Sequence, residues 1–138
     1  MAVNLHGVPR MTYDLDIVVP FEAGSLRGTR EALESLGLRC RLPIVLESLA
    51  EQGPASLAER SLVAVTFTDS NNPLREVDVL VAPPLPASDI VSRAIVLASG
   101  ALRVPVVSLE DLVVMKRAGG RPQDLADLAH LERIRGRR

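Results

Sequence analysis

Two aspartates separated by one residue hold the most specific chemistry in this chain. In Thr12-Tyr13-Asp14-Leu15-Asp16-Ile17-Val18-Val19, apolar residues alternate and are rich in β-branched types, which is the pattern of a strand over residues 11–19. Strand side chains alternate faces, so Asp14 and Asp16 share one face and Leu15, Ile17 and Val19 the other. Two carboxylates so placed lie roughly 7 Å apart, near enough to share one or two hard cations with waters and a phosphate. Their mutual repulsion favours a bound cation or open solvent. A second acidic pair, Glu76 and Asp78, lies in residues 74–81, where Val77, Val79 and Val81 face the other way. If that strand neighbours the first, Asp78 joins Asp14 and Asp16. Three carboxylates around two divalent ions would form a phosphoryl-transfer site. Taken singly, each acidic pair also suits the solvent face of a half-exposed strand.

Charged groups also fall on apolar helix faces. At 100° per residue, Leu109, Leu112, Val113 and Lys116 share one stripe, and Asp124, Asp127, Leu128, Leu131 and Ile134 share another. Lys116 is the single lysine among 16 basic residues. Unpaired charges are costly to bury, so these groups need partners. One reading is a structural ion pair of Lys116, Arg117 or Arg121 with Asp124 or Asp127. The other has Lys116 reach a phosphate, with Asp124 or Asp127 orienting it. Both can hold together. Arg10 either contacts phosphate or neutralises Asp14. Cys40 lies between Arg39 and Arg41, which would lower its pKa, but with no partner base it reads as a spare thiol. His6 and His130 are far apart in sequence and read as surface or core histidines rather than metal ligands.

The elements that must position these groups follow from pattern and punctuation. Helices are expected over residues 26–36, stopped by Gly37, and over residues 43–52, closed by Gly53-Pro54. Strands over 61–68 and 74–81 flank the turn residues Asp69 to Pro73 as an antiparallel hairpin. A helical turn over 88–91 precedes a second hairpin, residues 93–97 and 102–106, around Ser99-Gly100. Ser108 with Asp111 resembles a capping box opening a helix to about residue 118. Gly119-Gly120 breaks it, and Pro122 sits early in a last helix over residues 122–134. Strands and helices mix without regular βαβ alternation, so the fold class expected is α+β, a sheet with helices packed on it.

Composition narrows the rest. The 138 residues suit one domain, 1–138. One cysteine excludes an internal disulfide framework and a thiolate zinc cluster. The hydrophobic share of 47% excludes a disordered chain. Charged residues interrupt every apolar run, so no membrane span is expected, and without a basic-then-apolar leader the expected location is the cytoplasm. Residues 1–115 carry 9 basic and 14 acidic groups, and residues 116–138 carry 7 and 3, so the C-terminal end is locally basic. That end could attract phosphate or simply be a solvated helix face. With two Phe, one Tyr and no Trp, an aromatic platform for single-stranded nucleic acid is not expected.

Three segments carry a family resemblance. Residues 6–19, from His6-Gly7-Val8-Pro9-Arg10 through the Asp pair, resemble the first motif of minimal nucleotidyltransferases, and more closely that of the AbiE-type (AbiEii-like) toxin group. Glu76-Val77-Asp78-Val79-Leu80 is similar to the family's third-carboxylate strand. Residues 112–128, holding Lys116, Gly119-Gly120 and Gln123-Asp124-Leu125-Ala126-Asp127, resemble its C-terminal lysine and aspartate signature. The resemblance implies a nucleotidyltransferase-like mixed, twisted β-sheet packed by helices, with two C-terminal helices. It implies Mg2+-dependent transfer of a nucleoside monophosphate from a nucleoside triphosphate, with a two-metal site. Asp14, Asp16 and Asp78 would ligate metal, with Asp78 a ligand or base. Lys116, Arg10, Asp124 and Asp127 would serve the nucleotide. The implied acceptor is a tRNA end or other RNA, a protein hydroxyl or a small molecule, and a cognate antitoxin is the implied partner. The family carries Gly-Gly or Gly-Ser about ten to a dozen residues before the Asp pair, where backbone N–H groups grip phosphate. Counting back from Asp14 reaches Met1-Ala2-Val3. The expectation is that this turn and the strand before it are missing, leaving a bare sheet edge that favours a homodimer. A catalytically inactive binding or scaffold protein is the alternative reading.

Overall fold

Parallel pairing of two acidic strands organises the sheet. The structure is a computed structural model and describes residues 1–8 and 14–136. In chain order its elements begin α1 (Ala2–Leu5), β1 (Asp14–Val18), α2 (Ala23–Ser35), β2 (Arg39–Cys40), α3 (Ser48–Gln52), α4 (Ala55–Glu59), β3 (Ala64–Asp69) and β4 (Asn72–Leu80). They continue with α5 (Ala87–Ser92), β5 (Ile95–Ser99), β6 (Leu102–Val106), α6 (Leu109–Gly119) and α7 (Pro122–Arg135). The fold class is α+β. The described chain divides into two compact units, Tyr13–Pro83 and the combination of Met1–Thr12 with Pro84–Arg138.

In the unit Tyr13–Pro83 the strand order is β1-β4-β3-β2. β1 is parallel to β4, and the β4–β3 and β3–β2 pairs are antiparallel, so the sheet is mixed. A parallel pair needs a long crossover, and everything from α2 to β3 lies within it. One face of the sheet is apolar. Val65 and Phe67 of β3 and Val77 and Val79 of β4 pack with Leu26 and Leu33 of α2, Leu49 of α3 and Leu57 of α4. Leu26 and Leu33 lie seven residues apart, two turns, and therefore face the sheet together. Each such buried side chain contributes about 1.5–3 kcal/mol over its exposed state. The opposite face is left to Asp14, Asp16, Glu76 and Asp78. Gly37, at φ +85°, ends α2 as the pattern predicts, with Leu38 N–H bonded to the Leu33 carbonyl.

Several boundaries differ from expectation. The first strand is described from Asp14, and residues 11–13 of the predicted strand lie outside the described residues. The second helix begins at Ser48 rather than 43, because residues 43–47 turn first. β3 begins at Ala64, since Ser61 sits at φ +50° and closes the α4 turn instead of extending. The turn between β3 and β4 is shorter than predicted. The Asp69 carboxylate accepts the Asn71 N–H at 2.9 Å, and Asn72 and Pro73 already belong to β4. β5 begins at Ile95, because Arg93 caps α5.

The other unit is built on the antiparallel helices α6 and α7. Ser108 caps α6 by accepting the Asp111 N–H at 3.1 Å. Gly120, at φ +63°, terminates α6, a backbone conformation glycine adopts without strain. Val3, Val8, Leu109, Leu112, Val113, Leu128 and Leu131 form its core. His6 is buried, with its Nε2 at 2.8 Å from the Val107 carbonyl, so it is a core histidine; His130 is exposed. Asp111, also buried, takes a bidentate pair from the Arg93 guanidinium. β5 and β6 form the predicted hairpin. Among the described residues no helix is long and apolar enough to cross a membrane.

Candidate active site

The strand register gathers the acidic residues. In the parallel pair, Asp14 stands beside Glu76 and Asp16 beside Asp78. Register partners in neighbouring strands point to the same face, and neighbouring strands lie about 4.8 Å apart. The four carboxylates therefore occupy one patch of sheet surface, opposite the apolar core. Asp14 and Asp16 are exposed, on an edge strand; Glu76 and Asp78 are half-buried.

Two neighbours restrain this patch. Thr66 pairs with Asp78 across β3 and β4, and its hydroxyl donates to Asp78 Oδ1 at 2.6 Å. Glu76 meets the Arg41 guanidinium at 3.5 Å. Thr66 and Arg41 were not among the predicted site residues. Their signal was present as a Thr on the polar face of β3 and an Arg beside a strand, but neither means anything without register.

The donors suit a hard divalent cation: three aspartates on adjacent strands, all oxygen. Among the described residues no group of three or more His, Cys, Asp or Glu side chains is drawn close enough to hold a metal ion. Like-charged carboxylates repel one another, and Asp14 and Asp16 are exposed to solvent. What the register supplies is the donor type, carboxylate oxygen, that a hard cation takes.

The second candidate cluster lies between α6 and α7. Lys116 Nζ donates to Asp124 Oδ1 at 2.7 Å and meets Asp127 Oδ2 at 3.1 Å. Both aspartates are buried and the lysine nearly so. Arg121 adds its Nε to Asp124 Oδ2 at 2.9 Å and its backbone N–H at 3.3 Å. Burial pushes the Asp124 carboxyl up, but the hydrogen bonds from Lys116 and Arg121 outweigh it and hold the pKa below the usual range. Arg117, the third cation expected near these aspartates, instead pairs with Glu132 at 2.8 Å. The predicted ion pair is thus present, with two cations matched to two carboxylates. A Cβ on Gly119 would lie 2.6 Å from Asp124 Oδ2, so this glycine leaves room for the carboxylate.

Arg10 lies outside the described residues. Cys40 departs from expectation. Alternation puts its side chain on the core face, level with Phe67, and burial raises its pKa; a backbone hydrogen bond at Leu42 only partly offsets this. Its neighbours turn elsewhere. Arg39 donates to the carbonyls of Glu34 and Leu38, and Arg41 reaches Glu76.

Residues 1–137 match the family model described as nucleotidyl transferase AbiEii toxin, type IV TA system. No curated protein matches the chain.

Proposed function

Because this chain belongs to the AbiEii nucleotidyl transferase toxin family, we propose that it transfers a nucleoside monophosphate from a nucleoside triphosphate to an acceptor hydroxyl, using the acidic face of the mixed sheet. The observation that carries the reading is the register that sets Asp16 beside Asp78 and Asp14 beside Glu76.

In this reading Asp14, Asp16 and Asp78 hold Mg2+. The bound ion supplies neutralisation of the triphosphate and a lower pKa for the attacking hydroxyl. Thr66 occupies Oδ1 of Asp78, which leaves Oδ2 as the oxygen for the ion. Asp78 serves as ligand or accepts the acceptor proton. The acceptor oxygen bonds to the α-phosphorus, the bond from that phosphorus to the bridging oxygen breaks, and pyrophosphate leaves. Lys116 offers phosphate the one of its three ammonium donors that neither aspartate takes, while Asp124 and Asp127 fix its direction. Arg10 contributes to phosphate binding. The acceptor is a tRNA end, a protein hydroxyl or a small molecule. A nucleoside triphosphate substrate suits a cytoplasmic reaction, and the toxin–antitoxin family supports a cognate antitoxin as partner.

Calorimetry with each nucleoside triphosphate, with and without Mg2+, tests the reading. Metal-dependent binding that is lost in Asp14→Asn and Asp16→Asn is the expected result. Binding indifferent to Mg2+ and to both substitutions overturns the metal site and favours a non-catalytic binding protein.

A further inference from the structure

The acidic patch continues into a mixed row that crosses the whole sheet. Asp16 of β1 stands beside Asp78 of β4, and Asp78 stands opposite Thr66 of β3. Arg39 pairs with Thr68 and Cys40 with Phe67, and the Arg41 N–H donates to the Thr66 carbonyl at 2.9 Å, so Arg41 comes level with Thr66 just beyond β2. The row Asp16-Asp78-Thr66-Arg41 therefore runs carboxylate, carboxylate, hydroxyl, guanidinium. It spans three interstrand spacings, about 14 Å.

Arg41 does not point off the sheet edge. Its guanidinium lies 3.5 Å from Glu76 Oε2, and Glu76 belongs to β4, two strands away. The side chain must therefore lie across β3, over the polar face, toward the carboxylates. It is 60% exposed, so the pair with Glu76 is screened by solvent. An exposed pair of this kind contributes little and yields readily to a stronger anion. Arg41 thus brings an exposed, planar cation with several donors to a face that carries Asp14, Asp16, Glu76 and Asp78. Guanidinium forks match phosphate oxygens in pairs.

We propose that Arg41 is a triphosphate-binding residue, resting on Glu76 until a nucleoside triphosphate offers its β- and γ-phosphate oxygens, whereupon the guanidinium leaves Glu76 for the phosphates. This rests on the nucleotidyl-transfer reading above and names a residue outside the resemblance. Glu76 is then a counter-ion that parks Arg41 and is no member of the metal site. Thr66, between Asp78 and Arg41, spaces the two ends of the row.

The test is calorimetry on the full chain in Mg2+, with a non-hydrolysable nucleoside triphosphate and the matching monophosphate as separate probes. Arg41 is exposed, so Arg41→Gln keeps the fold. It should weaken triphosphate binding about tenfold, the loss of a charge-assisted contact, and leave monophosphate binding unchanged. Arg41→Lys should recover only part, since an ammonium lacks the fork. Glu76→Gln should tighten triphosphate binding or leave it unchanged, whereas a metal-ligand role would weaken it. Triphosphate affinity unaltered in Arg41→Gln, or equal losses for both probes, overturns the proposal. Asp16→Asn separates the two levels: if it abolishes Mg2+-dependent binding while Arg41→Gln changes nothing, the active site stands and only the role of Arg41 falls. If the wild-type chain binds no triphosphate in Mg2+, both fall.

Discussion

Thr66 donates its hydroxyl to Asp78 Oδ1 at 2.6 Å, straight across the antiparallel pair β3–β4. A carboxylate with one oxygen so held has lost much of its rotational freedom, and its second oxygen faces a defined direction. Thr66→Val keeps the shape and removes the donor. Mg2+-dependent nucleotide binding should weaken several-fold in Thr66→Val and recover in Thr66→Ser, with a melting temperature shift equivalent to about 1 kcal/mol for the lost hydrogen bond. If Val and Ser behave alike toward Mg2+ and differ only in stability, Thr66 is a sheet-pairing residue alone.

The Lys116 cluster has a different balance. Asp124 and Asp127 are buried, and Lys116 is their shared cation. Lys116→Ala leaves Asp124 with Arg121 as its cation and takes the lysine from the buried Asp127, and should destabilise the chain by up to about 3 kcal/mol, read by denaturant unfolding. Adding Asp124→Asn and Asp127→Asn should return part of that loss, because neutral amides cost less to bury. Triphosphate calorimetry well below the melting temperature separates the two roles of the lysine. Weaker binding by a folded Lys116→Ala supports phosphate contact, and unchanged affinity leaves a purely structural pair.

Alternation alone exposed the shared faces of Asp14 with Asp16 and of Glu76 with Asp78, because the apolar residues between them had to meet a core. The capping pair Ser108 and Asp111 and the early Pro122 likewise made α6 and α7 readable. Register was not readable, since nothing local tells β1 to lie parallel to β4 across a crossover of more than one helix and strand. The row from Asp16 to Arg41 exists only once that register is known. β2 has two residues and α1 four, too few to show a period. The predicted effect of Arg39 and Arg41 on Cys40 failed for the same reason: adjacency in sequence places side chains on opposite strand faces, and burial then governs the thiol.

Acid should unfold the chain partly through Glu47. This buried carboxylate is held down to about 2, first by hydrogen bonds from Arg30, against the opposing effect of burial. Arg30 meets it through Nε and Nη2, both at 2.9 Å. A depressed folded pKa stabilises above the ordinary carboxylate value, and that contribution is lost as pH falls through the folded value. The window is therefore from about 4.5 down to about 2, with Asp124 acting in the same direction. The difference in melting temperature between wild type and Glu47→Gln should be large at pH 7 and shrink through that window. A difference independent of pH would show that Glu47 matters for its shape and not its charge.

Gly119 offers the sharpest test of the α6–α7 junction, because two rules give opposite signs there. Gly119 is the last residue of α6, and alanine is the better helix former by up to about 1 kcal/mol. A Cβ there would stand 2.6 Å from Asp124 Oδ2 and 3.3 Å from its Cγ. Asp124 has little room to yield, since Lys116 and Arg121 grip its two oxygens. Gly119→Ala should therefore destabilise the wild-type chain. In an Asp124→Ala background the obstructing carboxylate is gone, and the same substitution should become neutral or stabilising. Denaturant unfolding of the four proteins in this cycle gives the coupling directly, and contacting residues are expected to couple by about 0.5–3 kcal/mol. Additive effects would mean that the Asp124 carboxylate moves aside at no cost, and that the Lys116 and Arg121 contacts do not hold it in place.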